Sequence, residues 1–377
     1  MKKLLYLLFI ILVCSCNESN KSGNSLSDFI PSNADVVFKI NDLETFKTDV
    51  ENNELHAKLR ANNAYTSLDG FLVHLDALHT EEDLLLCVEK EQDSTYFTLI
   101  TRLTDSLFNH QELDSSKVLH RVIDSIFIAS NSKVVLDNIQ PFDNASIETT
   151  LETMDSDKSF SVLLNNEASK TFGHALFESD SLTFSRQLFL DIDISPERVL
   201  LNGITKASDS LAELANLFIN LKAQENTIQN IVPSNADGYM SFTYNDFQIL
   251  NSNLETYGYK EVDSLFNPEL FQTINEVGQI FYDDSDLIVI RSIDPTQTIE
   301  ALRNHQNVQS TFRSVDLVEF SENDLFKTVF GPLLKPVPVS YYIHLDDFFV
   351  FSNSEGSLEN LIANYQNGFT MSSDPAF

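Results

Sequence analysis

Acidic side chains are the groups whose number and spacing first suggest chemistry in this chain. The 377 residues include 56 Asp and Glu against 24 Lys and Arg, and the densest groups are Asp191-Ile-Asp193 and Asp283-Asp284-Ser285-Asp286. Closely spaced carboxylates are typical ligands of Ca²⁺. Neither group continues into an Asp-x-Asp-x-Asp-Gly loop with a Glu six residues after the glycine. The sequence therefore predicts no calcium site.

Paired carboxylates across a cleft would be able to hydrolyse a glycosidic bond. Asp346 and Asp347 are adjacent and precede an apolar run, but the equivalent positions in an internal repeat, described below, are Asp124 and Ser125. That substitution favours a turn role for the Asp346-Asp347 pair. Carbohydrate recognition also relies on exposed aromatic faces, and the chain has no Trp. An envelope hydrolase with acidic residues in a cleft between the repeats is kept as the alternative interpretation.

Histidine spacing gives no indication of a metal site. The closest group among the eight histidines is His74-Leu-Asp76-Ala-Leu-His79. On a helix, His74 and Asp76 would point about 160° apart, and the two histidines lie five residues apart instead of four. The sequence also lacks His-Glu-x-x-His, Gly-x-Ser-x-Gly and a glycine-rich phosphate loop. We therefore predict a protein that is not an enzyme and that has no metal and no cofactor.

The charge balance excludes one class of partner. The formal net charge is −32, which repels nucleic-acid phosphates and anionic membrane surfaces. A solvated acidic surface is the simplest explanation. We expect no nucleic-acid partner and no polybasic face that binds a membrane.

The N-terminus has the pattern of a lipoprotein signal peptide. Lys2 and Lys3 precede an apolar run over residues 4–13 that is too short to span a bilayer. The following Val13-Cys-Ser-Cys16 resembles a lipobox, with Cys16 as the lipidated residue; Cys14 fits less well because bulky Val13 precedes it. The acyl chains on Cys16 would anchor the protein to a membrane, at about 0.8 kcal/mol per buried methylene. An ordinary secretory signal is the alternative.

Two further predictions concern the segment after the signal peptide and the remaining cysteine. Residues 16–28 are rich in Asn, Ser and Lys, the composition of a flexible tether. Once Cys14 is removed and Cys16 is lipidated, only Cys87 is left, so no intrachain disulfide can form. Cys87 lies in the apolar run of residues 83–88, which predicts a buried side chain and not a nucleophile.

An internal repeat is the strongest signal in the rest of the chain. Pro31-Ser-Asn-Ala-Asp35 recurs unchanged as Pro233-Ser-Asn-Ala-Asp237, at an offset of 202 residues. Each copy continues into an apolar run and then into Asn41-Asp-Leu-Glu44 or Asn245-Asp-Phe-Gln248. Asn with Glu or Gln three residues later indicates a helix N-terminus. Each copy therefore predicts a turn, a strand and a capped helix.

Two further pairs of motifs extend the repeat. Apolar runs end in Ser-Asn-Ser at residues 130–132 and 352–354, an offset of 222, so the second copy has insertions between its motifs. Both runs predict a buried strand followed by a Ser- or Asn-capped helix. Thr153-Met-x-Ser-Asp-x-x-Phe160 recurs at residues 370–377, after which about 70 residues of the first copy, 161–230, have no counterpart. We expect the second copy to be incomplete, with an unpaired sheet edge where the first copy uses residues 161–164.

These patterns predict an α+β protein of two related repeats, each a mainly antiparallel sheet with helices packed on one side. The predicted organisation is as follows: residues 1–15 signal peptide, 16–28 flexible tether, 29–230 first repeat and 231–377 second repeat, incomplete at its C-terminus.

The order of these motifs, together with Val199-Leu-Leu-Asn-Gly203, resembles the uncharacterised two-repeat envelope lipoproteins of Bacteroidota related to domain of unknown function 3352. The resemblance covers most of the chain from Phe29 onward and rests on short structural motifs. It implies an envelope location and a repeat architecture, and it transfers no catalytic or ligand-binding residue. The end at Phe377 departs from the pattern of longer relatives, in which the second copy continues.

Two functional hypotheses follow. The favoured one is a membrane-anchored envelope lipoprotein, preferably of the outer membrane, with a non-catalytic binding or scaffolding role and another envelope protein as its partner. The alternative is the envelope hydrolase described above. An exposed apolar groove or sheet edge would favour the first, and a pocket with several buried carboxylates would favour the second.

Overall fold

The structure is a computed structural model of the chain. It describes residues 24–373 except for 55–77, 92–93, 106, 108–118, 143, 155–157, 159, 178–182, 197, 209–211, 260–268 and 283–284. The predicted signal peptide, Cys14 and Cys16 lie outside the described residues, as do His74, Asp76, Asp283 and Asp284.

Fifteen strands are found in the described part of the chain. They are β1 Val36–Ile40, β2 Leu84–Glu91, β3 Ser94–Arg102, β4 Leu119–Ile123, β5 Ile126–Ser130, β6 Phe160–Asn165, β7 Gln187–Ile194, β8 Val199–Lys206, β9 Gly238–Thr243, β10 Ile274–Phe281, β11 Leu287–Ser292, β12 Val308–Phe312, β13 Val315–Glu319, β14 Tyr341–Leu345 and β15 Phe348–Ser352.

Eight α-helices accompany them among the same residues, with several short 3₁₀ segments. The helices are α1 Leu43–Asn52, α2 Lys133–Asn138, α3 Ala145–Thr153, α4 Asn166–Phe177, α5 Phe247–Thr256, α6 Pro295–Ala301, α7 Leu325–Phe330 and α8 Glu355–Asn367.

The strands form two antiparallel sheets, and the predicted α+β class is confirmed. The first sheet has the order β4-β5-β3-β2-β1-β6-β7-β8, and the second has the order β12-β13-β14-β15-β11-β10-β9. Five neighbouring strands of the two sheets correspond, with β4-β5-β3-β2-β1 matching β14-β15-β11-β10-β9. The repeated sequence motifs therefore specify a repeated strand order.

The larger offset of the later motifs has a structural cause. Residues 103–118 connect β3 to β4, whereas residues 293–340 connect β11 to β14. The longer connection contains α6, α7 and the hairpin β12–β13, which extends the second sheet beyond β14. At the other end of that sheet β9 is the last described strand, whereas its counterpart β1 has β6 beside it. The sheet edge expected there is present.

Two compact units make up the described chain. The first comprises the described residues up to Val162 together with residues 191–196, and the second comprises those of 163–190 and 197–377. The predicted repeats, residues 29–230 and 231–377, were defined by sequence similarity and not by contacts, and their boundaries stay a prediction.

Helices cover both faces of the second sheet, where the sequence predicted one side. Ile288 and Ile290 of β11 join a core with α5 and α7 residues, whereas the alternating Leu287 and Val289 join a second core with α8. Successive side chains of a strand point to opposite faces. Continuous burial along β15 agrees with this arrangement, because a strand covered on both faces shows no polar alternation.

Polar side chains cap the helices that follow strands in both repeats. The predicted serine caps are confirmed: Ser132 and Ser354 accept hydrogen bonds from the backbone N–H groups of the first turns of α2 and α8. The predicted asparagine caps are wrong by one residue, because Asp42 and Asp246 cap α1 and α5 instead. An Asp at this position also stabilises the positive end of the helix dipole.

Candidate functional site

The acidic groups that suggested chemistry have separate structural partners. On β7, Asp191 accepts a hydrogen bond from Ser161 Oγ at 2.6 Å, and Asp193 pairs with Lys158 Nζ at 2.8 Å. Both carboxylates are thereby used within the fold. In the described part of the chain, no group of three or more His, Cys, Asp and Glu side chains is placed to hold a metal ion.

Asp346 and Asp347 belong to a hairpin turn, as the repeat predicted. Asp346 has a φ of 52° and its counterpart Asp124 has a φ of 48°, whereas Ser125, the counterpart of Asp347, has a φ of 65°. Left-handed residues in a short hairpin loop match the twist of the flanking strands. Tyr365 donates to Asp346 Oδ2 at 2.5 Å, and burial together with this hydrogen bond raises the pKa of Tyr365 to about 12.

His305 forms a contact with Ser321 and Glu322 that the sequence analysis missed. Ser321 Oγ lies 3.3 Å from His305 Nδ1, and Glu322 Oε1 lies 3.1 Å from His305 Nε2. A nucleophilic triad uses such contacts to remove the serine proton. Here Ser321 and Glu322 are exposed neighbours on one loop. Two surface pockets are lined by described residues, and neither lining includes His305, Ser321 or Glu322. Neither of these two pockets therefore positions a substrate carbonyl against Ser321.

Cys87 and His79, which the sequence analysis discussed, are both in the described part of the chain and have structural surroundings. Cys87 is fully buried and unbonded to another cysteine, and burial raises the pKa of its thiol. The predicted burial of Cys87 is therefore confirmed. A thiol that forms little thiolate is also a poor nucleophile. His79 pairs with Glu44 Oε1 at 3.2 Å near the surface.

A pocket of about 370 Å³ opens in the first unit. It is formed by the repeated turn at residues 29–33, by Glu89, Glu91 and Tyr96 at the β2–β3 hairpin, and by residues 132–142 around α2. Three segments that lie far apart in sequence thus meet at one place. The pocket combines an apolar wall with two carboxylates, which is the composition of a small-molecule site.

The second unit has an aromatic side chain at the position that corresponds to Glu89. Asp35 N donates to Val88 O and Asp237 N donates to Phe281 O, so Glu89 corresponds to Tyr282. Tyr282 packs against a hydrophobic core. Tyr365 of helix α8 and Met371, which comes after that helix, pack against the same core. Helix α8 has 13 residues and α2 only six, with Pro141 shortly after it. A proline is strongly unfavourable inside a helix, which accounts for the end of α2 before Pro141.

Strand β8 is an exposed edge. It ends the first sheet, and all its residues from Leu200 to Thr205 are exposed. Leu200 and Leu201 retain 47% of their maximum accessible surface and Ile204 retains 53%. Because adjacent residues of a strand face opposite sides, apolar surface is exposed on both faces of β8.

The other sheet edges differ from β8 in their packing or in their side chains. In β9 every residue is half-buried, and segment 222–227 packs on its end, with Gln224 N donating to Thr243 Oγ1 at 3.2 Å. Edge strand β12 exposes only Val308 among its large apolar side chains, and β4 exposes Leu119 and Val122 but carries Arg121 at its centre. Charged side chains on an edge prevent unwanted strand pairing. Strand β8 has no charged side chain between Val199 and Thr205.

Comparison with known proteins gives no relative from which a function can be transferred. No protein-family model, curated protein or solved structure matches the chain. Among the described residues, no helix is both long enough and apolar enough to cross a membrane. A mixed α+β architecture with two antiparallel sheets is compatible with many functions, so a function has to be argued from the exposed strand and the pocket.

Proposed function

We propose that the chain is a lipid-anchored, non-catalytic binding or scaffolding protein of the cell envelope that holds another envelope protein at strand β8. The observation that carries this proposal is the exposed, apolar edge of the first sheet. An extended segment of a partner that pairs with β8 would satisfy its outward backbone groups and cover its side chains.

The exposed apolar side chains of β8 would contribute to the affinity of strand addition. Leu200, Leu201 and Ile204 each keep about half of their surface in water. Covering them would contribute about 1 kcal/mol per side chain, half of the roughly 1.5–3 kcal/mol of full burial. Backbone hydrogen bonds along the edge add geometric specificity. A second copy is a poorer occupant than a different protein, because a net charge of −32 on each copy opposes self-association.

The location of the protein rests on its N-terminal sequence. We propose that Cys16 carries the lipid and that the outer membrane is the site of attachment. The predicted tether of residues 16–28 is too long at its C-terminal end, because residues 26–29 form a 3₁₀ helix in which Ser27 is buried, so we propose that the tether ends before this helix. The resemblance to the two-repeat Bacteroidota lipoproteins supports the same location. The lipid would hold β8 near the membrane, so the partner is expected to be another membrane-bound or peripheral envelope protein.

Site-specific photo-crosslinking in cells tests the role of β8. Benzoyl-phenylalanine placed at Leu200 or Ile204 should give an adduct with one protein, mapped by mass spectrometry to a single extended segment. The same group at Val308, on edge strand β12, is the matched control and should give no such adduct.

A substitution that blocks strand pairing separates specific from adventitious capture. Ile204→Lys introduces a charge into the exposed edge and should abolish the adduct formed at Leu200, whereas Val308→Lys should leave it unchanged. Both sites are exposed, so each variant should keep its unfolding free energy within about 0.5 kcal/mol. Adducts of equal yield in the two variants would contradict a role for β8.

A further inference from the structure

We propose that the pocket of the first unit binds a primary ammonium group carried on an apolar stem, with Glu89 as the counter-charge. This inference is independent of β8. It rests on the charge of the pocket, on an unsatisfied polar atom in its lining, on its apolar rim and on the comparison between the two repeats.

The polar chemistry of the pocket selects a cation. Glu89 and Glu91 line it, and its lining residues, all in the described part of the chain, include no Lys, Arg or His. Glu89 Oε1 is buried and has no hydrogen-bond partner. A buried carboxylate oxygen without a donor is unfavourable. An ammonium group, with three N–H donors, would supply both the charge and the donors that are missing.

The apolar part of the pocket selects the stem of the ligand. Val134 and Phe142 stand at the rim and are 70% and 68% exposed, and Tyr96 and Ile139 continue the wall. Large apolar side chains so exposed beside a concave surface are typical of a binding site. An alkyl or aryl-alkyl stem would cover them while its ammonium group reaches Glu89. A small inorganic cation would leave this wall exposed.

The second repeat has no carboxylate at the position of Glu89. There, the position of Glu89 is taken by Tyr282, and Tyr365 and Met371 pack in the same core. The carboxylate of the first repeat is thus replaced by an aromatic residue in the second. The strand pairing that the two repeats share therefore does not require a carboxylate at this position.

Titration calorimetry on the whole chain at pH 7.5 tests the proposal with 2-phenylethylamine as the probe. Its uncharged isostere 2-phenylethanol has the same ring and stem without the ammonium group. We expect the amine to bind at least tenfold more tightly than the alcohol. Equal affinities, or no binding of the amine in the millimolar range, would overturn the proposal.

Two variants assign the charge effect to this pocket and not to the general acidity of the chain. Glu89→Gln should remove the tenfold preference for the amine, whereas Glu51→Gln, the same change at an exposed position on α1, should preserve it. Val134→Lys adds a competing ammonium group at the exposed rim and should also abolish amine binding. Preference for the amine that survives both pocket variants would refute the assignment.

The source of the ammonium group is distinguished by a second probe. Nα-acetyl-lysine methylamide presents the lysine side chain as it occurs in a protein. Tighter binding of this compound than of 2-phenylethylamine would identify a lysine side chain of another protein as the ligand. The reverse order would identify a free amine, and either order supports the pocket chemistry.

Discussion

Replacing Glu276 by Leu should destabilise the second unit strongly, because its carboxylate holds a turn of the chain inside the core. Glu276 on β10 is fully buried. It accepts Thr227 N at 2.9 Å, Thr227 Oγ1 at 2.7 Å and Ile228 N at 3.2 Å. Leu has no acceptor, so two backbone N–H groups would be left without a partner.

The expected cost follows from these donors. A buried donor without a partner costs about 1–3 kcal/mol, so two of them suggest a loss of about 2–4 kcal/mol after the gain from removing a buried charge. Glu276→Gln keeps one acceptor oxygen and should lose about half as much. The matched control is Glu225→Gln, the same chemical change at an exposed residue nearby, which should shift stability by less than about 0.5 kcal/mol.

Urea unfolding followed by far-ultraviolet circular dichroism gives the free energies, since the chain has no Trp. Hydrogen exchange then locates the effect. Segment 222–227 should lose its contact with Thr243, so amides at the end of β9 should exchange faster in Glu276→Leu than in the parent chain. A Glu276→Leu protein as stable as the parent would refute the reasoning, because it would show that the hydrogen bonds to Thr227 and Ile228 contribute nothing.

Three further predictions concern single positions. Gly203→Ala should detach β8 from its neighbour, because a Cβ at Gly203 would lie 1.9 Å from Phe189 O; hydrogen exchange should show lost protection over β8, and unchanged protection would contradict the close approach. Burial, followed by the charge of Asp35, raises the pKa of Glu89 above 4.5, so ionisation of Glu89 lowers stability as the pH rises through the raised pKa. Glu89→Gln should therefore raise the urea midpoint at pH 7 and leave it unchanged at pH 4; a midpoint that fails to rise at pH 7 would show that the ionised carboxylate is not penalised. Cys16→Ala should abolish labelling by an alkyne palmitate analogue and release the protein from the membrane fraction, and a labelled variant would overturn the assignment of the lipid site.

The candidate sites were less accessible to sequence reasoning than the strands. The chain is recognisably acidic, but acidity alone did not distinguish Glu89, which lines a pocket, from Asp191, which binds Ser161. The contact between His305 and Ser321 was missed for the same reason, since 16 residues separate them. Which polar groups meet depends on the packing of distant segments, and no local spacing records it.

Local chemistry determined much of the fold directly. Repeated turn and strand motifs predicted two related, mainly antiparallel sheets, and the two sheets share the order of five strands because the same apolar runs and turns form the same pairings. Ser132 and Ser354 marked helix starts, Asp124 marked a hairpin turn, and the apolar run around Cys87 marked a buried strand. Each of these features depends on a few neighbouring residues.

Only the tertiary structure decided which surfaces are left uncovered. The apolar residues of β8 look in sequence like those of a buried strand, and their exposure follows from the position of β8 at the end of a sheet. The pocket beside α2 likewise depends on which distant segments meet there, since its lining comes from residues 29–33, 89–96 and 132–142. Burial is a property of the assembled layers, so a sequence pattern can show that a segment is apolar without showing what covers it.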